Sequence, residues 1–107
     1  MNATRKLSHA QEILTSLHDP EEIDRFTSAR GVLKKHLIHK RDILNGKDFL
    51  FSGAHEEVHL ALKNLIIIEH KAGRFLEFDY AEIDNIFLLR VVGEACHQDI
   101  IDTYFDV

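Results

Sequence analysis

Eight of the 107 residues are histidine, and none of them sits in a terminal tag-like run. A chain of this length holds roughly two or three at average usage. Imidazole is the commonest metal ligand and the side chain whose charge changes near neutrality. His36, His55, His59 and His97 interrupt apolar stripes, as do Lys40, Glu69 and Glu94. Burying such groups without partners costs about 2–7 kcal/mol each. Converging on a metal ion compensates that cost, and hydrogen bonding among themselves is the other way. His18, His39 and His70 fall outside the stripes and are expected at the surface.

Helical spacing supplies those stripes. Helix A covers Thr4 to Leu17, with Leu7, Ala10, Ile13, Leu14 and Leu17 on one face. Asp19-Pro20-Glu21-Glu22 then reads as a cap, a first-turn proline and a capping-box acid. Helix B runs on to Leu44 through Phe26, Ala29, Leu33, His36, Leu37, Lys40 and Ile43, and Asn45-Gly46 ends it. Ser52 caps helix C, which reaches Gly73 through His55, His59, Leu62, Leu65, Ile66 and Glu69. Asp79 and Glu82 open helix D, which carries Ile83, Ile86, Phe87, Arg90, Glu94, His97, Ile101 and Tyr104 to the chain end. One proline and five glycines leave little punctuation for an all-β chain. Short turns make successive helices antiparallel neighbours. The expected fold is all-α, an antiparallel up-down-up-down four-helix bundle, with residues 1–107 forming a single domain.

At about 1.5 Å rise per residue, His36, His59 and Glu94 fall at similar heights in such a bundle. His55, Lys40 and His97 form a second layer roughly one turn away, and two layers on three helices suit a dinuclear site. His9 lies near the A–B turn, about two turns from His36. The run of His36, then His55-Glu-Glu-Val-His59, then His97-Gln-Asp-Ile-Ile-Asp102 resembles the hemerythrin pattern. That family carries a histidine on its second helix, His-x3-His on the third and His-x4-Asp on the fourth. The resemblance implies a non-haem iron site, diiron where a carboxylate bridges, that binds or senses O₂ without substrate turnover. His36, His55, His59 and His97 would be its imidazole ligands and Asp102 its carboxylate. The chain departs from the pattern at Lys40, where the family has its bridging glutamate. Glu94 is the reserve ligand, and without a bridge a mononuclear site or zinc follows.

Other short signatures compete. His55-Glu56-Glu57-Val58-His59 fits the zinc-protease motif, but a small bundle offers little substrate cleft. Glu56-x-x-His59 and Glu94-x-x-His97 match the carboxylate diiron motif, though on neighbouring rather than alternate helices. His39 could accept phosphate in a phosphotransfer module, yet Gly46 is far from it. A metal-free helical protein-interaction module, with a homodimer among its forms, is the alternative class. The net charge of −5 argues against phosphate backbones, and the longest apolar run, Leu65 to Ile68, is too short to span a bilayer. Met1 to Ala10 lacks the apolar core of a secretion signal, and the single Cys96 fits a reducing compartment. The expected protein is cytoplasmic and not an enzyme.

Overall fold

The computed structural model describes residues 9–53, 55–73 and 75–106. The elements follow in the order α1 (His9–Ser16), α2 (Pro20–His36), β1 (Leu37–Ile43), β2 (Gly46–Phe51), α3 (His55–Ala72), β3 (Leu76–Ile83) and β4 (Ile86–Gly93). A 3-10 turn (Ala95–His97) and a short α4 (Gln98–Asp102) complete it. The all-α four-helix bundle is therefore corrected to a mixed α/β fold. A four-stranded antiparallel sheet, in the order β1-β2-β4-β3, takes the place of the second half of helix B and most of helix D. Residues 4–8 of expected helix A lie outside the described residues.

Two helix-plus-hairpin units make up the fold, α2-β1-β2 and α3-β3-β4, and they meet where β2 pairs with β4. Helix α2 starts where the sequence said, with Asp19 accepting from the Glu21 amide at 2.9 Å and Pro20 in the first turn. Glu21 and Glu22 near its start and Lys34, Lys35 and His36 near its end complement the helix dipole. It stops at His36, and the chain runs on into β1 and turns at Leu44 and Asn45 into β2, a hairpin where the sequence suggested a helix stop. Asn45 adopts φ 63°, and Ile43 pairs with Gly46 across the turn. Gly46 is required there: a Cβ would meet the Val91 carbonyl oxygen at 2.1 Å. Asp84 and Asn85, at φ 50° and 67°, form the matching turn of β3 and β4, with both central residues left-handed as a type I′ hairpin demands.

All helices pack on one face of the sheet. Phe49 and Phe51 of β2 and Phe87, Leu89 and Val91 of β4 point to that face, against Phe26, Ala29 and Leu33 of α2 and Val58, Leu62 and Leu65 of α3. The chain end closes the layer, with the Phe105 ring edge-on to Phe49 and Phe51 at 4.9 and 5.6 Å. Among the described residues, no helix is long and apolar enough to cross a membrane.

Candidate interaction face

The six residues expected to bind metal are dispersed. His36 closes α2, with Nε2 3.8 Å from Glu57. His55 opens α3, with Nδ1 2.9 Å from Glu82 of β3. One turn on, His59 Nε2 lies 3.1 Å from the Tyr80 hydroxyl. The two rings flank Phe87, at 5.2 and 5.8 Å, so this pair alone is brought together, on an aromatic wall. His97 stacks on Phe75 at 4.5 Å. Asp102 lies 3.4 Å from Lys47 Nζ, and the exposed Glu94 side chain makes no cap for the 3-10 turn that follows it. Among the described residues, no group of three or more His, Cys, Asp or Glu could hold a metal ion. The expectations of a hemerythrin-like, iron- or other metal-binding bundle are corrected accordingly. Their layers were measured along helices B, C and D, but Lys40 in fact sits on a strand and Glu94 and His97 lie at the 3-10 turn after β4, so the heights no longer apply.

The sheet face turned away from the helices is left uncovered by the described residues. Cross-strand register arranges it in rows. One row is ionic, reading Arg41, Asp48, Arg90, Asp79 from β1 to β3. The row on one side reads His39, Leu50, Leu88, Ala81, and on the other Ile43, Gly46, Val92, Glu77. Ile86 and Ile83 close the face at the β3–β4 turn. Asp48 has 0% of its surface exposed although it faces away from the core. Two guanidinium groups cover it. Arg90 holds it with Nε to Oδ1 at 2.8 Å and Nη2 to Oδ2 at 3.0 Å, and Arg41 donates to Oδ2 at 2.8 Å. The bonds from Arg90 hold the Asp48 carboxyl below its ordinary pKa against the opposing effect of burial, and Arg41 adds to the lowering. The chain matches no family model, no curated protein and no solved structure.

A second polar group is buried inside the helical layer. Glu69, 3% exposed, accepts the Tyr104 hydroxyl and lies 2.9 Å from His9 Nε2. Arg30 donates to the Tyr104 carbonyl at 2.8 Å and to that of Asp106 at 3.4 Å. Burial, with the Glu69 charge beside it, pushes the Tyr104 phenol well above its usual pKa. Each charge has partners, so the cluster joins α1, α2, α3 and the chain end. The sequence marked Glu69 as a misplaced polar residue; it did not mark Asp48, Arg41 or Asp79. Asp79 it read only as a helix cap, but the strand beside them, β4, did carry a signal. Ile86-Phe-Leu-Leu-Arg-Val-Val92 is rich in β-branched and aromatic residues, follows Asp84-Asn85 and ends at Gly93, which is the pattern of a strand rather than a helix.

Proposed function

We propose that the protein is a metal-free, non-catalytic protein-interaction module that binds through the uncovered face of its sheet. One observation carries this reading: apart from Arg90, β4 is apolar on both faces, and its outer residues Ile86, Leu88 and Val92 are only partly covered. Phe87, Leu89 and Val91 fill the core, and Ile86, Leu88 and Val92 point the other way. A solvated antiparallel sheet alternates apolar-in with polar-out, and a near-continuous apolar strand is the habit of sheets covered on both sides. Leu50 on β2 and Ile43 on β1 extend the apolar surface on either side of the ionic row. Ile83, 57% exposed, lies at its rim.

The edges of the sheet support the face rather than the edge as the contact. β3 carries Glu77, Asp79 and Glu82, and β1 carries Lys40, Arg41 and Asp42 with a bulge at Ile38. Charges and a bulge discourage a further strand from adding there.

A photo-reactive residue at Ala81, exposed beside Leu88, tests the reading against the same residue at Lys63, exposed on α3. Crosslinking in cells should give a discrete protein adduct from position 81 and none from 63, and Leu88→Lys in the same chain should remove it. Adducts from neither position, or equally from both, would overturn the proposal.

A further inference from the structure

We infer that the occupant of this face is a second copy of the same chain, in a two-fold sheet-on-sheet dimer; the inference rests on the interaction reading just given. The argument is one of charge order. From β1 to β3 the ionic row reads plus, minus, plus, minus: Arg41, Asp48, Arg90, Asp79. Such a row is its own complement when reversed. A two-fold axis lying parallel to the strands, between β2 and β4, reverses it. Arg41 then faces Asp79 of the other copy, at both ends of the row, while Asp48 stays covered by the guanidinium groups of its own sheet. The same operation sets Leu50 over Leu88, His39 over Ala81, Gly46 over Val92 and Ile43 over Glu77, the last pair placing a carboxylate at the rim against an isoleucine. A two-fold axis along the row instead puts the exposed Arg41 over Arg41 and Asp79 over Asp79, which repel. Only the first arrangement satisfies both the charges and the leucines, and it keeps the strands of the two sheets nearly aligned, as face-to-face sheets pack. It is also isologous, the commonest form of self-association.

The row is neutral as a whole, so neither a polyanion nor a polycation gains a net attraction to it. A partner must carry the alternation, and this chain does. Layer spacing agrees as well. Stacked sheets lie about 10 Å apart, and the half-exposed Arg41 reaches into that gap towards Asp79 while Arg90 stays on Asp48. Four strands at about 4.8 Å and some six residues at about 3.3 Å give a footprint of roughly 400 Å² per copy before side-chain relief. The pair buries on the order of 1,000 Å², at the lower edge of specific interfaces. The desolvation of the charges on this face, Glu77 among them, offsets part of the gain, so the dimer is weak and reversible.

Sedimentation equilibrium of the full chain, from about 10 μM to 1 mM, should show the mass rising towards twice the 12.4 kDa of one chain, as micromolar association requires. Asp79→Arg sets a second guanidinium against Arg41 of the other copy, and Arg41→Asp sets two carboxylates together. Each should weaken the dimer by tenfold or more, and an equimolar mixture of the two should dimerise again, because every cross-pair is then opposite in sign. Arg41→Asp also places a carboxylate beside Asp48, so a second pair, Leu88→Lys with Leu50→Glu, repeats the mixing test without touching the ion network. A chain that stays monomeric at millimolar concentration, or a dimer indifferent to these changes, or no recovery on mixing, overturns the inference. If such a monomer still yields the position-81 adduct with a different protein, self-pairing fails and the interaction reading stands. If the adduct is missing too, both fail.

Discussion

Asp48 is the residue on which the uncovered face depends. Its pKa is lowered from the ordinary 3.8, chiefly by Arg90. A depressed carboxyl contributes stability that is complete above its unfolded value and disappears as pH falls through its folded value. Urea midpoints should therefore decline on acidification from roughly pH 4 downwards, and Asp48→Asn should flatten that decline. At neutral pH the same change should cost about 2–3 kcal/mol, below the full cost of breaking a buried pair because both arginines are half exposed. An unchanged acid profile would remove Asp48 from its assigned place. Tyr104 works in the opposite sense. Its phenol is raised above the usual 10.0, so its contribution holds below that value and is lost as pH rises beyond it, where the unfolded chain ionises first. Tyr104→Phe should abolish that alkaline loss and cost about 1–2 kcal/mol at pH 7, as Glu69 keeps only its His9 partner.

At the scale of elements, the helix and strand readings of residues 86–91 make different patterns under one scan. Lysine placed singly at Phe87, Leu89 and Val91 should unfold the chain, each core replacement costing more than about 3 kcal/mol. Lysine at Leu88 or Arg90 should leave the circular dichroism unchanged. A period of two confirms the strand; damage spaced three or four apart would restore a helix. Gly46→Ala should cost more than the 0.5–1 kcal/mol, roughly, that separates glycine from alanine in ordinary backbone, because the Val91 carbonyl occupies the Cβ position. Thermal melts of that single variant decide it. Much of the helical half was legible from the residues alone. Asp19-Pro20 placed the start of α2, and the stripe from His55 to Glu69 placed α3. The sheet was hidden because each of its strands is short, and short apolar runs satisfy helical and strand periods alike. Asn45-Gly46 fits a helix stop and a hairpin turn equally well. What decides between them is the pairing of β2 with β4, a contact between halves of the chain that no local window contains. The histidine excess misled for the same reason: its layers existed only along helices that the pairing forbids.

The whole molecule has one layer of helices on one side of its sheet and nothing described on the other, where the proposed second copy would cover β4. Self-association then couples to folding by mass action. For a folded dimer that unfolds to two chains, each tenfold rise in concentration above the dissociation constant adds about 0.7 kcal/mol per chain, half of the usual 1.4 for a tenfold change. A domain of this size shifts its melting temperature by about 4–8 °C per kcal/mol, so the midpoint should climb some 3–5 °C per decade. Leu88→Lys, which touches the outer face alone, should keep the fold and lose the slope. Its midpoint should equal that of the wild-type chain measured well below the dissociation constant, because the same monomer is then melting in both samples. A wild-type midpoint independent of concentration, in the range where sedimentation shows dimers, would mean that the dimer separates before the fold melts, since any folded dimer that melts to single chains obeys the same mass action.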